Sequence, residues 1–558
     1  MEPTSSFNFA LIEASLWQEG QGPPANSAWL SLSWQYPARF WKELHGFWER
    51  RQAGQSKSVP LIRYDFHHDL LVRQKGQAAP ALAWFENGAW QSWSYAELGQ
   101  RVDGLAATWE GAGVQPGETL AILHPPGPHW LAALLAGLRL GLVVSLLPPQ
   151  GDAFVLRRLK NLAPQWLAMD PLYRHRLAAD WQGMVLPSTL SALPPSRVSH
   201  GYLGAAIVAQ CFDPTGPTPD LPRPVDADTL YLGALRDGVL SLGIKPGQAC
   251  AAPGWPLLES QPALVLAVLL SGATWVHIGL ADIEKEPGRL LGRRIDVLGV
   301  SRPLRDALLA NPPVGEKTWR HWFRHPAESA DLARWQEFID LLQLEESYSG
   351  NLAWDAALGG AVIFSARCRG RAHHWALPAP GILWQLGMVA SPELPGLGGM
   401  GRLALGKLDE KGETAWVATP HLLSPYRSGW NYLGAYPLGR AGRTYPRQEV
   451  MDLLAGRGPY LALVEAPAGG ADGDTLQVLL AFGEGVDAAA LHALIATQLG
   501  SEFLPDRIEC IPLLPKRNAE GGADQEWCQF HYLTGELYRR QRSPIHRCLS
   551  ELKQKVLA

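Results

Sequence analysis

The chain has 558 residues, of which 47% are hydrophobic and 18% charged. This length predicts several packed subdomains, and the composition excludes a disordered tail, a collagen-like repeat and a coiled coil. A net charge of −4 provides no overall field that would attract nucleic acid or an anionic membrane, so neither is expected as a partner.

Residues 1–75 form a Trp-rich extension with one predicted helix. Its apolar residues follow the spacing i, i+1, i+4, i+7 and i+8, which places them on one helix face: Phe40, Trp41, Leu44, Phe47 and Trp48. The pattern favours a helix packed against the main body, with a surface for a partner protein as the alternative. The first twenty residues lack the basic start and long apolar core of a secretory signal, which favours a cytoplasmic protein.

A short internal repeat marks the next part of the chain. Residues 113–118 (GVQPGE) recur as residues 243–248 (GIKPGQ). Each copy precedes an apolar strand, a Pro/Gly turn, a helical stretch and a second strand: 119–123, 130–140 and 142–147 after the first, and 249–252, 262–270 and 273–278 after the second. Apolar runs bounded by Gly and Pro and alternating with helices predict two α/β subdomains on largely parallel sheets.

The pattern changes near residue 440. A helix at 449–455, strands at 460–465 and 475–482 and a helix at 488–499 predict a separate α+β domain. The predicted organisation is therefore an extension (1–75), a large domain (76–440), a small domain (441–531) and a basic tail (532–558). The tail is interpreted as a solvated helix, with contact to an anion or a partner as the alternative.

Three motifs in the first half resemble the opening of the adenylate-forming (AMP-binding) superfamily of acyl-CoA synthetases, luciferases and peptide-synthetase adenylation domains. They are residues 93–98 (WSYAEL), 113–118 and 134–141 (LLAGLRLG). The stretch with Phe40-Trp41 and residues 79–84 is most similar to acetyl-CoA and acetoacetyl-CoA synthetases. The resemblance implies a large N-terminal domain of two α/β subdomains and a small mobile C-terminal α+β domain.

The resemblance also implies a two-step reaction. A carboxylate attacks the α-phosphate of ATP to form an acyl adenylate, and a thiol then displaces AMP. The implied cosubstrates are ATP with Mg²⁺ and coenzyme A or an acyl-carrier protein. The implied site needs a flexible loop with a Lys for the β- and γ-phosphates, a carboxylate for the ribose and a C-terminal Lys.

The loop corresponds to residues 211–220 (CFDPTGPTPD), where Thr215 and Gly216 match the family pattern Ser-Gly-Thr-Thr-Gly-x-Pro-Lys. Residues 213–222 contain four prolines, which remove backbone donors and fix φ. No Lys occurs between Lys160 and Lys245, so Arg223 is the nearest cation and the predicted substitute.

The later landmarks are also altered. Tyr348 is predicted to stack on the base, and Arg440 is the predicted polar contact to ATP. Trp430 stands where the family has the ribose Asp, and Lys516 aligns with the family's non-catalytic Lys, so it serves only in a shifted register.

Two functions therefore remain open. One is a diverged ATP-dependent acyl-CoA or acyl-carrier synthetase, with Arg223 and Lys516 as weak catalytic candidates and a nucleotide site made of Thr215, Gly216, Tyr348 and Arg440. The other is a catalytically inactive pseudo-synthetase that binds an acyl group or a protein partner and needs no cofactor. No metal site is predicted, because the six cysteines lie far apart and the histidines have no zinc-binding spacing.

Overall fold

The computed structural model of the chain describes residues 7–17, 28–53, 63–149, 152–177, 181, 183–213, 220–327, 332–387, 401–408, 414–426, 429–435, 447–455, 457, 460–467, 475–500, 503–518 and 521–543. The chain divides into two compact units. The first comprises Met1–Pro149, Arg158–Asp213 and Asp220–Pro437, and the second comprises Gln150–Arg157, Pro214–Pro219 and Leu438–Ala558.

The α-helices of the described residues are, in chain order, α1 Phe9–Ser15, α2 Ala28–Gln35, α3 Pro37–Ala53, α4 Tyr95–Gly111, α5 Pro128–Leu140, α6 Asp152–Leu162, α7 Ala227–Arg236, α8 Leu257–Ser260, α9 Ala263–Leu270, α10 Leu280–Lys285, α11 Arg302–Ala310, α12 Leu332–Leu341, α13 Arg447–Leu454, α14 Ala488–Gln498, α15 Gln525–Leu533 and α16 Glu536–Arg542. None of these helices is long and apolar enough to cross a membrane.

The strands are β1 Leu82–Glu86, β2 Ala89–Trp93, β3 Thr119–Leu123, β4 Val143–Leu146, β5 Trp166–Met169, β6 Met184–Val185, β7 Ile207–Cys211, β8 Arg223–Asp226, β9 Ala249–Ala251, β10 Thr274–His277, β11 Val297–Gly299, β12 His321–Arg324, β13 Tyr348–Asn351, β14 Ala353–Asp355, β15 Gly360–Phe364, β16 Cys368–Arg369, β17 Leu377–Pro378, β18 Leu383–Gly387, β19 Gly401–Leu408, β20 Thr414–Tyr426, β21 Gly429–Ala435, β22 Tyr460–Pro467, β23 Thr475–Phe482 and β24 Arg507–Ile511.

Two largely parallel sheets form the first unit, as the sequence predicts. The six-stranded sheet has the order β6-β5-β3-β4-β7-β8, and only β8 runs antiparallel to its neighbour. The eight-stranded sheet has the order β16-β13-β12-β11-β9-β10-β1-β2, with antiparallel strands only at its two edges. The α5 helix is buried from Trp130 to Leu140 and α9 along its whole length, as expected of crossovers packed on such sheets.

The two copies of the internal repeat also form equivalent backbone hydrogen bonds in the two subdomains. The amide of Gly117 donates to the carbonyl of Gly141 (2.8 Å), and that of Gly247 donates to Gly272 (3.0 Å). All four glycines have left-handed φ angles between 69° and 87°. Each pair joins the turn before one strand to the turn before the parallel neighbour of that strand. Each copy of the motif therefore begins its own βαβ unit, and the two units are of the same type.

The predicted helix of the N-terminal extension packs on the first unit. Within α3, Phe40 and Leu44 are fully buried, and Trp48 meets Tyr231 of α7 edge-on with a ring-centroid distance of 6.0 Å. The Trp41 indole donates to the carbonyl of Gly381 at 2.9 Å. The apolar face therefore belongs to the core of this unit.

The second unit contains the predicted α+β elements. The β22 and β23 strands form an antiparallel pair and β24 adds in parallel, with α13 and α14 supplying apolar side chains to the same core. The first part of the basic tail belongs to α15 and α16, where Leu537 is buried and the Tyr532 hydroxyl donates to Glu509 at 2.8 Å. Residues 544–558 lie outside the described residues.

Candidate functional site

An antiparallel pair of strands holds both ends of the predicted phosphate loop. The β7 strand ends at Cys211, which lies opposite Arg223, the first residue of β8. The two flanks of the loop therefore meet at the end of the six-stranded sheet. Residues 214–219, including Thr215 and Gly216, lie outside the described residues, so their role as phosphate contacts stays a prediction.

Arg223, the predicted replacement for the missing Lys, lies between two carboxylates. Its guanidinium is 3.0 Å from the carboxylate of Asp213 and 3.9 Å from that of Asp355. All three side chains are partly buried, with exposed fractions of 29% for Arg223, 15% for Asp213 and 20% for Asp355. We call these three residues the Arg223 cluster.

The position of Asp355 comes from a short helical turn after β14. Its carboxylate accepts hydrogen bonds from the amides of Ala357 (2.9 Å) and Leu358 (3.3 Å), which caps the 3₁₀ turn at residues 356–358. The turn ends at Gly359, which has a left-handed φ of 75° and lies directly against Gly233 of α7. Without side chains at these two glycines, the turn packs closely on the helix and carries Asp355 to Arg223.

Sequence reasoning missed Asp355. Asp355 lies beyond the end of the strand that begins at Tyr348, outside the motifs that carry the family resemblance. An available signal was the pattern Asp-Ala-Ala-Leu-Gly at 355–359, which is typical of a capped turn that ends in a left-handed Gly.

The surroundings of Asp355 favour its protonated form. Burial raises the pKa of its carboxyl to about 6, and the charge of Asp213 acts in the same direction, whereas Arg223 and the two amide donors oppose the shift. Burial, reinforced by the charge of Asp355, also raises the pKa of the Cys211 thiol to about 12. Cys211 therefore stays a thiol at neutral pH and is not an activated nucleophile.

We expect Asp355→Asn to stabilise the protein above pH 6 relative to the wild type. The folded-state pKa of about 6 lies above the ordinary value of 3.8, so the folded chain holds this proton more tightly than the unfolded chain does. The resulting stabilisation of the wild type is complete below about pH 4 and is lost as the pH rises through 6. Asn keeps the oxygen that accepts the two amide bonds and never ionises.

Melting curves from pH 4 to pH 8 test this expectation. The melting temperature of Asp355→Asn, compared with the wild type, should rise between pH 4 and pH 7. Asp282→Asn is the control, because the Asp282 carboxylate is 38% exposed and also pairs with an arginine, Arg289. Parallel curves for Asp355→Asn and the wild type over the whole range would contradict the raised pKa.

Tyr348 lies at the amino end of β13, opposite His321 at the start of β12. Its hydroxyl donates to the carbonyl of Trp17 at 3.0 Å, and the guanidinium of Arg369 lies 4.7 Å from its ring centroid. Asp355 follows the other end of this strand, so the structure does not bring Tyr348 and the Arg223 cluster together. Stacking of Tyr348 on a base stays a prediction.

The remaining predicted residues lie elsewhere. Lys516 belongs to the second unit, where its ammonium is 2.9 Å from the carboxylate of Asp524 and its side chain is 62% exposed. Trp430 is in β21 and meets Trp384 edge-on at a ring distance of 5.7 Å. Arg440 lies outside the described residues, and its contact to ATP stays a prediction.

Comparisons with known proteins bear on both the first subdomain and the whole architecture. Residues 71–163 match the family model described as AMP-binding enzyme. Acetoacetyl-CoA synthetase from Streptomyces lividans superposes with a TM-score of 0.59 at 16% identity, covering 89% of this chain and 88% of that one. Benzoate CoA ligase from Burkholderia xenovorans LB400 gives 0.57 at 16% identity, covering 83% and 99%. Fatty acyl-adenylate ligase from L. pneumophila, in complex with acyl adenylate and pyrophosphate, gives 0.58 at 12% identity, covering 82% and 94%. No curated protein matches the sequence.

The chain has the adenylate-forming fold. The predicted resemblance to the adenylate-forming superfamily is confirmed, as is the division into a large α/β part and a smaller α+β part. The matched segment 71–163 includes all three motifs that carried the resemblance in the sequence.

In this example of the adenylate-forming fold, aromatic side chains fill the carboxyl end of the eight-stranded sheet. Trp255, Phe323 and Trp354 pack on one another with ring distances of 4.9, 5.4 and 5.9 Å, and His325 stacks on Trp255 at 4.5 Å. A cavity beside Cys211 measures only about 10 Å³. Such a volume holds at most about one water molecule.

The described residues around Arg223 do not fit Mg-ATP. Two carboxylates face one guanidinium, and no Lys or Arg stands between Asp213 and Arg223 in the sequence. Triphosphate binding needs a surplus of positive charge, which one guanidinium between two carboxylates does not provide. Among the described residues, no group of three or more His, Cys, Asp or Glu side chains is arranged to hold a metal ion.

Proposed function

We propose that this chain is a pseudo-synthetase: it keeps the adenylate-forming fold but does not activate carboxylates with ATP, and it acts as an acyl-group binder or as a scaffold for a protein partner. The observation that carries the proposal is the position of Arg223, which lies 3.0 Å from Asp213 and 3.9 Å from Asp355. The cation at the loop is already neutralised by the protein itself.

Electrostatics supports this proposal. A triphosphate approaching the Arg223 cluster would meet two negative charges and one positive charge. At 4 Å, a single like-charge contact costs about 1 kcal/mol even in the high dielectric of water, and more in a partly buried site. The four prolines of residues 213–222 also remove backbone N–H groups that a phosphate would need.

The absence of two groups that the family uses to bind ATP also favours a pseudo-synthetase. A single charged contact in a preorganised site is typically worth about 10² to 10³ in rate. The phosphate Lys is absent from the loop, and Trp430, which offers one indole N–H donor, stands in place of the ribose carboxylate. The packed aromatic rings of Trp255, Phe323 and Trp354 leave little room for an acyl chain at the carboxyl end of the sheet, which favours the scaffold role over acyl-group binding there.

Calorimetric titration with Mg-ATP tests the proposal. We expect no heat of binding and no thermal shift at about 5 mM Mg-ATP, a concentration at which a Kd of about 1 mM or tighter is readily detected. We expect the double variant Asp213→Asn/Asp355→Asn to bind ATP detectably at the same concentration, because two like charges are removed while Arg223 is kept.

The matched control is Asp282→Asn/Glu286→Gln. These two carboxylates flank Arg289 at 3.1 and 3.0 Å, so the control changes the net charge equally around an arginine remote in sequence from the predicted site. It should leave ATP binding unchanged. Wild-type binding at micromolar to sub-millimolar Kd, followed by pyrophosphate release with any carboxylic acid, would disprove the pseudo-synthetase proposal.

A diverged acyl-CoA or acyl-carrier synthetase is the second candidate. The observation that favours it is the meeting of Arg223 with Asp355, since one cation and one acidic group from distant parts of the chain converge beside the predicted loop. ATP-dependent consumption of coenzyme A or acylation of a carrier protein would establish this alternative. Loss of that activity in Arg223→Gln, with Arg289→Gln unaffected, would assign it to the Arg223 cluster.

A further inference from the structure

A cavity of about 120 Å³ lies inside the first subdomain, among residues that play no part in the Arg223 cluster. It is bounded by α4, α5, the ends of β3 and β5 and residues 186–190. The side chains that give it its chemistry are Trp93, Arg101, Trp109, His124, His129 and Met169. The backbone around residue 187 is held over α4 because the Trp109 indole donates to the Pro187 carbonyl at 2.9 Å.

The burial of His124 and its lack of hydrogen bonds among the described residues indicate that this cavity binds a ligand. His124 follows β3 directly, it is 91% buried (9% exposed), and it lines the cavity wall. Its ring lies nearly parallel to that of His129 at 6.5 Å, but within the described part of the chain neither of its nitrogens has a hydrogen-bond partner. A buried imidazole usually makes hydrogen bonds, so its free N–H and lone pair suit a polar group that enters the cavity.

Arg101 supplies positive charge to the same cavity. The face of its guanidinium rests on Trp93, 4.1 Å from the ring centroid, which fixes the side chain in place. Its N–H edge makes no hydrogen bond in the described ranges and is therefore available to an anion. The other walls are mostly apolar, with Leu105, Ala133 and Met169 among them.

The size of the cavity limits the ligand. An apolar protein cavity of about 150 Å³ is known to hold a benzene molecule, so about 120 Å³ with an opening for a polar group suits a single six-membered ring. A flat ring also suits walls made of indole and thioether groups. Among the polar side chains of the wall, which also include His129 and Ser188, Arg101 and the unpartnered His124 select an anionic substituent.

We infer that this cavity is a binding site for a small monocyclic aromatic carboxylate, whose ring lies against Trp109 and Met169 and whose carboxylate is bound by Arg101 and His124. This site is separate from the Arg223 cluster, and binding requires neither ATP nor Mg²⁺. The inference is independent of the proposed pseudo-synthetase function, since an active synthetase would carry the same cavity.

Saturation-transfer NMR and calorimetry with benzoate as the probe test the inference. We expect benzoate to bind with a Kd of about 1 mM or tighter, a range accessible to so small a ligand. Benzylamine has a similar size and the opposite charge, and should bind at least about tenfold more weakly. Saturating Mg-ATP should not displace benzoate.

Variants locate the site. Arg101→Gln and His124→Phe should each weaken benzoate binding at least about tenfold, whereas Arg174→Gln, an exposed arginine outside the cavity, should have no effect. Ala133→Leu fills the cavity and should abolish binding, while an unchanged or raised melting temperature shows that this variant is folded. The inference is overturned if benzoate does not bind at about 10 mM, if folded Ala133→Leu binds it as the wild type does, if benzylamine binds equally well, or if Mg-ATP displaces benzoate.

Discussion

Asp237→Ala should lower the stability of the first unit by about 3–5 kcal/mol, the largest effect expected of a single substitution here. Asp237 is completely buried and accepts hydrogen bonds from the Arg236 guanidinium (2.9 Å), the Ser241 hydroxyl (2.9 Å) and the amide of Ala361 (2.6 Å). Truncation leaves the guanidinium of Arg236, only 2% exposed, without its counter-charge. An unpaired charge in such a place is costly because water cannot reach it.

Denaturant unfolding followed by tryptophan fluorescence measures this loss. The first unit and the second unit need not unfold together, so the midpoint of the transition that reports on the first unit is the quantity to compare. Asp282→Ala is the control: it removes a carboxylate that is 38% exposed and pairs with Arg289, and such surface pairs contribute about 0–1 kcal/mol. Equal shifts for the two variants would contradict a structural role for the buried pair.

The Arg236–Asp237 pair also supports the candidate site. The Arg236 guanidinium donates to the carbonyl of Ala361 at 2.7 Å, so both members of the pair bind the start of β15. The 3₁₀ turn at residues 356–358 immediately precedes that strand. Loss of the pair should therefore loosen the turn that carries Asp355 as well as destabilise the core.

Gly233→Ala should destabilise the protein by about 1–3 kcal/mol or more. A Cβ at position 233 would lie 2.1 Å from the carbonyl oxygen of Gly359, a backbone atom that no side-chain rotation can move away. Gly359 itself needs its left-handed φ of 75° to end the turn. The strain can be relieved only by separating α7 from the turn, which moves Asp355 away from Arg223.

Gly99→Ala provides the matched comparison with the opposite expected sign. Gly99 lies inside α4, and nothing is within 4 Å of a Cβ built there. Alanine favours the helical conformation over glycine by up to about 1 kcal/mol, so this variant should melt at a higher temperature than the wild type. If Gly233→Ala also melts higher, then α7 and the turn at 356–358 do not approach as closely as the structure indicates.

A second measurement on Gly233→Ala concerns the candidate site. Once Asp355 is displaced from Asp213 and is better hydrated, its carboxyl should titrate nearer its ordinary pKa. The pH dependence of stability between about pH 4 and 6 should then be weaker than in the wild type. An unchanged pH profile would show that the turn and Asp355 stay in place despite the strain.

Local sequence patterns predicted the repeated architecture correctly because parallel strands and their crossover helices have strong local signatures. The apolar runs at 119–123 and 142–147, with a helical stretch between them, correspond to β3, β4 and α5. The Gly and Pro residues that bound them also set their ends, as the left-handed Gly141 shows. The small domain was predictable for the same reason, and its strand at 475–482 has the bounds predicted from the sequence.

The antiparallel pairing of the strands between residues 383 and 435 was not predicted from the sequence. There the structure forms an antiparallel sheet of the order β18-β19-β20-β21, with irregular register between β19 and β20 and between β20 and β21. Irregular pairing breaks the alternation by which a strand is recognised in a sequence. The stability of such strands depends on neighbours that local patterns do not identify.

The sequence alone determined that this protein is an α/β chain resembling the adenylate-forming superfamily, and that the predicted phosphate loop lacks a lysine. Those properties follow from residue type and from short-range order, which a sequence displays directly. Only the tertiary structure decided that Asp355 lies beside Arg223, that Tyr348 lies at the other end of the strand leading to Asp355, and that His124 and Arg101 line one cavity. These contacts join residues far apart in the chain, so their charges and hydrogen bonds are set by packing rather than by sequence spacing.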